Sequence, residues 1–158
     1  MNRYAFYDFE FGILKIGYTD TAVTFLRHTK QIDSCNEHSA LSDLAFDQIR
    51  EYLKGTRKTL NFPYELHGTE FQRKVWNALC QIPYGETRTY KQIAEAVGSP
   101  KASRAVGMAN NKNPMMIVVP CHRVIGTNGS LIGYAGGLGM KKALLELERN
   151  QTTLKEAQ

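Results

Sequence analysis

Tyr90-Lys91-Gln92-Ile93-Ala94-Glu95-Ala96-Val97-Gly98-Ser99-Pro100-Lys101-Ala102-Ser103-Arg104-Ala105-Val106-Gly107-Met108-Ala109-Asn110 decides how the second half of this 158-residue chain folds. Tyr90, Ile93, Ala94 and Val97 recur at helical spacing, and Gly98 is placed to close that helix. Ser99 can cap a second helix with Pro100 in its first turn, where a missing N–H is harmless. The second helix, expected over Lys101–Asn110, is rich in small residues: Ala102, Ser103, Ala105, Gly107 and Ala109. Two short helices joined at Gly98-Ser99 make a helix-turn-helix candidate. The same pattern fits a tight helical hairpin with Arg104 reaching solvent. Alternatively, the flat face presses on DNA and Arg104 enters the groove.

On the amino-terminal side, Thr69 and Gln72 form a capping box, and Phe71, Val75 and Leu79 then share a helical face until Pro83. Cys80, four residues after Trp76, is expected in the core. Further back, Gly55–His67 is polar at first and contains Pro63, so it reads as the linker between two domains. Ser39–Lys54 places Leu41, Leu44, Ala45, Ile49 and Leu53 on one helical face, ended by Gly55. Arg3–Phe9, Ile13–Tyr18 and Ala22–Arg27 are rich in aromatic and β-branched residues and are separated by short turns. They predict an antiparallel meander. The fold class is therefore mixed α/β (α+β). A small β-rich domain with one helix is expected over residues 1–67, and a mainly helical domain over 68–158.

Charge divides the chain at the same place. Residues 1–67 hold eight Lys/Arg against nine Asp/Glu, whereas residues 68–158 hold twelve against six. Within Phe71–Lys142 ten basic residues face only Glu86 and Glu95. A basic half joined to a neutral one suggests a polyanionic partner, most simply nucleic acid. No apolar run is long enough to span a bilayer, and the amino terminus lacks the form of a signal peptide. A soluble, cytoplasmic protein without a membrane partner is expected. Three cysteines without repeated spacing argue against a disulfide scaffold.

Chemistry concentrates at Pro120-Cys121-His122-Arg123-Val124, preceded by Ile117-Val118-Val119. Only a thiolate is nucleophilic, and a neighbouring imidazole can act as its base. Adjacent Cys-His is a poor zinc chelate. A buried structural cysteine beside a strand-capping histidine fits the pair equally well. Asn113-Pro114, eight residues earlier, reads as a turn. Six of the thirteen glycines lie in Gly126–Gly139, around Tyr134, where backbone can crowd a ligand and a ring can stack on it. No P-loop pattern is present. The last helix, expected over Gly139–Arg149, is amphipathic through Met140, Ala143, Leu144 and Leu147. Glu148 stands at the edge of that stripe. It can orient His122 in the manner of a triad, or pair with Lys141 or Arg149 in solvent.

Taken together, these residues resemble the O6-alkylguanine-DNA alkyltransferase family over Thr69–Arg149. The resemblance rests on Phe71–Trp76, Ile82–Thr87, Thr89-Tyr90, Pro100–Gly107, Asn113-Pro114, Ile117–Val124 and Gly133–Leu138. Residues 1–67 match only in kind. The resemblance implies single-turnover transfer of an alkyl group from guanine O6 to Cys121 in double-stranded DNA, with O4-alkylthymine as a further possible substrate. His122 would act as base through a water, with Glu148 orienting it, Asn113 bracing the turn and Tyr90 donating to the guanine ring. Arg104 would fill the space left by the flipped base. Ala102, Ser103, Gly107 and Thr89 would lie along the minor groove. Pro120, Val124, Tyr134, Ala135 and Gly136 would line the pocket. Ala135 stands where many relatives carry a serine. No metal or cofactor is implied: Cys35, His28, His38 and His67 lack the zinc spacing of some relatives. A monomer is expected. Two rival readings stand beside it, a lesion-sensing DNA-binding protein without chemistry and a Cys121-His122 hydrolase. Relatives of the first kind lack the acceptor cysteine, and the second leaves the small-residue helix unexplained.

Overall fold

The computed structural model describes residues 2–131, 134 and 137–157, with side chains to Thr152. The chain divides into two compact units, Met1–His67 and Gly68–Gln158. The architecture is mixed α/β.

In the first unit, strands β1 (Arg3–Phe9), β2 (Gly12–Tyr18) and β3 (Val23–Thr29) form an antiparallel meander in that order. The register pairs Ala5 with Ile16 and Ile16 with Leu26, so alternation puts Ala5, Leu14, Ile16, Tyr18 and Leu26 on one face, all buried. Helix α1 (Ala40–Leu53) covers that face. It starts at Ser39, whose hydroxyl accepts from Ser42 N while the Ser42 hydroxyl accepts from Ser39 N. The buried stripe of α1 is Ser42, Ala45, Gln48, Ile49 and Tyr52, whereas Leu44 is exposed. The expected stripe is therefore rotated: Tyr7 O–H bonds Ser42 and Asp43, and these contacts turn polar positions inward.

The opposite sheet face carries Tyr4, Phe6 and Phe25 around Lys15, whose ammonium lies 4.5 Å from the Tyr4 ring centre and 2.8 Å from Asp33. Gly17 permits this closure, since a Cβ there would stand 2.8 Å from both Phe25 and Tyr4. The segment expected as a linker is largely built into this unit. Phe62 is buried, Val23 N donates to Pro63 O, and Glu65 N donates to Val23 O.

In the second unit, α2 (Glu70–Cys80) starts at the Thr69–Gln72 capping box. Val75, Trp76 and Leu79 face inward, while Cys80 is exposed. Cys80 lies one residue beyond the buried Val75–Leu79 row, about 100° around the helix, which takes it off the core face. A two-residue strand β4 (Arg88–Thr89) pairs in parallel with β5 (Val124–Ile125). Helix α3 (Tyr90–Ala96) is capped by Thr89 and ends before Gly98, whose φ of +79° suits glycine. Helix α4 (Ser103–Asn111) starts later than expected. Ala102 N donates to Ser99 O, closing a turn that occupies Ser99–Ala102, so Ser99 does not cap the helix. A short 3-10 turn spans Cys121–Arg123, and α5 runs over Leu138–Ala157, well past the expected end at Arg149. No helix among the described residues is long and apolar enough to cross a membrane.

Candidate active site

The segment before the 3-10 turn is held in an unusual shape. Ile117 has φ +72°, a left-handed conformation rare for a β-branched residue. Asn113 clamps this bend from inside: Nδ2–H donates to Val119 O and Oδ1 accepts from Met115 N, both at 2.9 Å. Val119 N also donates to Met115 O, and Cys121 N to Val119 O at 2.7 Å. The apolar run Ile117–Val119 thus forms a strained turn. It delivers Cys121 to the first position of the 3-10 turn with its residue only 5% exposed.

His122 is fully buried, and its Nε2 lies 2.5 Å from Glu148 Oε2. Arg123 binds the same carboxylate through Nε at 2.7 Å and Nη2 at 3.2 Å, and donates from Nη1 to Ile82 O. Gly85 N donates to Glu148 Oε1 at 3.4 Å. Gly85 has φ +85°, and a Cβ there would strike Thr152 on α5, so this approach needs glycine. Burial opposes ionisation of Glu148, but the hydrogen bonds from His122 and Arg123 together with the Arg123 charge outweigh it and hold the carboxyl at about 2. With that carboxylate ionised, His122 Nε2 must carry the hydrogen, leaving Nδ1 as the basic atom. Nδ1 has no hydrogen-bond partner among the described residues. Burial lowers the His122 pKa against the pull of Glu148, with Arg123 and Lys141 adding to the lowering, so the ring is kept neutral.

Tyr90 begins α3, and burial together with the Cys121 charge raises its phenol above the ordinary value. Gly107 of α4 faces its ring: a Cβ there would lie 3.9 Å from Tyr90 Cδ1 and Cε1. Trp76 Nε1–H donates to Ala109 O at 2.9 Å, fixing the inner side of α4. Arg104 is exposed on the outer side of that helix, with Lys101, Ala105 and Met108 exposed beside it. Ala102 and Ser103 lie half-buried at its start. The Thr89 hydroxyl is engaged in capping, accepting from Gln92 N at 3.1 Å. Pro120, Val124 and Tyr134 are buried, while Ala135 and Gly136 lie outside the described residues.

Cys121, His122, Glu148 and Asn113 therefore come together, and Tyr90 lies within electrostatic reach. Three further residues join them. Arg123 is a charged residue at the end of the otherwise apolar run that starts at Ile117. Lys141 is fully buried and donates to Val124 O at 2.5 Å. It falls on the same stripe as Leu144 and Glu148, at positions i, i+3 and i+7. Asn110 is buried and donates from Nδ2 to Cys121 O at 3.5 Å, completing the inward row of Val106 and Ala109. No group of three or more His, Cys, Asp or Glu able to hold a metal occurs among the described residues.

Residues 70–150 match the family model described as 6-O-methylguanine DNA methyltransferase, DNA binding domain. A methylated-DNA–protein-cysteine methyltransferase of Methanosarcina acetivorans is 54% identical over 129 residues, covering 80% of this chain and 83% of that protein. The crystal structure of Mycobacterium tuberculosis O6-methylguanine methyltransferase superposes with TM-score 0.87 at 42% identity, over 98% of this chain and 99% of that one. The Mycobacterium tuberculosis OGT solved in complex with DNA superposes with TM-score 0.86 at 43% identity, over 94% and 93% of the two chains. With a thiol beside a carboxylate-held imidazole and matches of this extent, the chain belongs to the O6-methylguanine-DNA methyltransferase family.

Proposed function

We propose that this protein repairs DNA by direct reversal, moving the alkyl group of O6-alkylguanine in duplex DNA onto Cys121 in a single turnover. The observation that carries this reading is the buried His122–Glu148 bond at 2.5 Å beside Cys121. It leaves a neutral imidazole with a basic Nδ1 next to a thiol that needs a base.

In the proposed step the Cys121 proton passes to His122, through a water. The sulfur then attacks the alkyl carbon. The new S–C bond forms as the C–O6 bond breaks, and the electron pair stays on guanine O6. A donor to the guanine ring, here the Tyr90 hydroxyl, stabilises the charge that develops. The product is a thioether, which has no ionisable hydrogen and no leaving group that the site activates, so the protein acts once.

Reaching a buried sulfur requires the base to leave the stack. Helices α3 and α4 would act as the helix-turn-helix, with α4 in the minor groove and Arg104 entering the vacated space. The exposed row of Lys101, Arg104 and Ala105 supports that orientation. Pro120, Val124 and Tyr134 would line the base pocket, with Ala135 and Gly136 continuing it.

Intact-protein and peptide mass spectrometry after incubation with duplex DNA carrying one O6-methylguanine tests the reading. One methyl on Cys121, with activity ceasing after one equivalent, is expected. An unchanged mass despite lesion-specific binding would instead make the protein a damage sensor.

A further inference from the structure

The turn between α2 and β4 converges on the Arg123–Glu148 pair through three of its residues. Ile82 O accepts from Arg123 Nη1 at 2.7 Å, and Gly85 N donates to Glu148 Oε1 at 3.4 Å. Between them, the Tyr84 ring lies against the guanidinium, whose central carbon is 5.6 Å from the ring centre. The local sequence explains the approach. Glu86 N donates to Pro83 O at 3.1 Å, which closes a β-turn over Pro83–Glu86. Gly85 takes the third place of that turn at φ +85°, where a positive φ favours glycine. Tyr84 takes the second place and is half-buried.

The N–H groups of a guanidinium lie in its plane, and here Nε, Nη1 and Nη2 are directed at Glu148 and Ile82. The faces of the group are left for other contacts, and the negative face of an aromatic ring suits a cation. Burial and the Glu148 charge both raise the Tyr84 phenol above its ordinary value, so the ring stays neutral and acts through its face. Arg123 is 8% exposed under this cover.

We infer that Tyr84 is a positioning residue for the alkyl transfer: its ring holds the Arg123 guanidinium against Glu148 and shields the pair from water, which keeps His122 a neutral base. The inference deepens the alkyl-transfer reading on which it rests. Loss of the ring has two effects on His122 that run the same way. Water reaching the cluster makes an imidazolium less costly there, and a loosened Arg123 offsets less of the Glu148 charge. Both raise the pH at which His122 takes up a proton. The charged groups acting on His122 are Glu148, Arg123 and Lys141, and its chain neighbour is Cys121. Arg123 faces Glu148, Tyr84 and His122, and its charge also reaches Cys80 on α2.

The test uses full-length protein without DNA, following the His122 ring signals by NMR across a pH series. Tyr84→Leu keeps an apolar side chain but has no ring face, and His122 is expected to titrate about one unit higher than in the wild type. Tyr84→Phe keeps the ring and is expected to restore the wild-type inflection. A wild-type inflection in folded Tyr84→Leu, or equal shifts in the two variants, would overturn the inference. A second comparison needs no loss of the ring. A ring-fluorinated phenylalanine at position 84 keeps the shape of Tyr84→Phe while weakening the negative face, so His122 should titrate higher than in Tyr84→Phe. Identical titrations would overturn the inference as well. Across the same variants, the acid limb of methyl transfer from duplex O6-methylguanine should move with the His122 inflection. Failure of transfer in the wild type would sink the alkyl-transfer reading alone, because the titration needs neither DNA nor a methyl group.

Discussion

Arg123 and Glu148 form a buried, two-point ion pair, with Nε 2.7 Å from Oε1 and Nη2 3.2 Å from Oε2. This pair holds α5 against the turn that carries the thiol, and it leaves Oε2 facing His122. Removing one partner of such a pair strands the other charge, at a cost of about 3–5 kcal/mol. Arg123→Ala should therefore lower unfolding free energy in urea by about that amount. A loss below about 1 kcal/mol would mean that the pair does not hold the site together.

Acid should weaken the fold through the same cluster. Glu148 titrates near 2 in the folded protein against an ordinary 4.5, so the folded state binds its proton later than the unfolded state. Its stabilisation is present above about 4.5 and is lost as pH falls toward 2, amounting to about 3 kcal/mol. His122 acts in the same direction. Its proton is disfavoured by burial, so the unfolded chain binds one first as pH falls through about 6.5. Urea midpoints measured from pH 7 to pH 3 should fall steadily in the wild type, and Glu148→Gln should flatten the part below 4.5.

The bend at Ile117 depends on Asn113. Asn113→Ala deletes two buried hydrogen bonds and leaves Val119 O and Met115 N without those partners, costing about 2–4 kcal/mol. Cys121 should also lose its placement. Iodoacetamide reactivity and methyl transfer should then both fall in protein that remains folded by circular dichroism. Unchanged transfer would show that the bend is incidental to the thiol.

Arg104 separates DNA engagement from chemistry. It is exposed on α4 and the cysteine cluster lies on the inner side, so Arg104→Ala should slow repair of duplex O6-methylguanine strongly, roughly tenfold or more. Attack on free O6-benzylguanine should be nearly unaffected. Equal losses on both substrates would contradict the proposed flipping role.

Local rules made much of this fold readable. The three strands and the starts of α1, α2 and α3 follow from alternation and from side chains that bond within three residues. The errors arise where distant partners decide. Leu44 fits the expected stripe of α1, but Tyr7 brings Ser42 inward instead. Ser99 has the chemistry of a cap, yet its carbonyl is used in a turn. Phe62 reads as part of a linker until Val23 pairs across Pro63 and Glu65. At the site, Cys121, His122 and Glu148 stand out by type and spacing. Arg123 and Lys141 resemble surface charges, and only tertiary burial reveals them as interior ones.

The helix starts differ in a way that bears on which loops can change length. Helices α1, α2 and α3 each carry a reciprocal bond between the capping residue and the third helical residue. Their rotational phase is written into four consecutive residues, so lengthening or shortening the preceding loop leaves the same side chains pointing inward. Helix α4 has no side-chain cap and begins directly where the Ser99–Ala102 turn ends. One residue inserted in that turn would swing Arg104 by about 100° around the helix axis. Of these four loops, that one is the least free to vary.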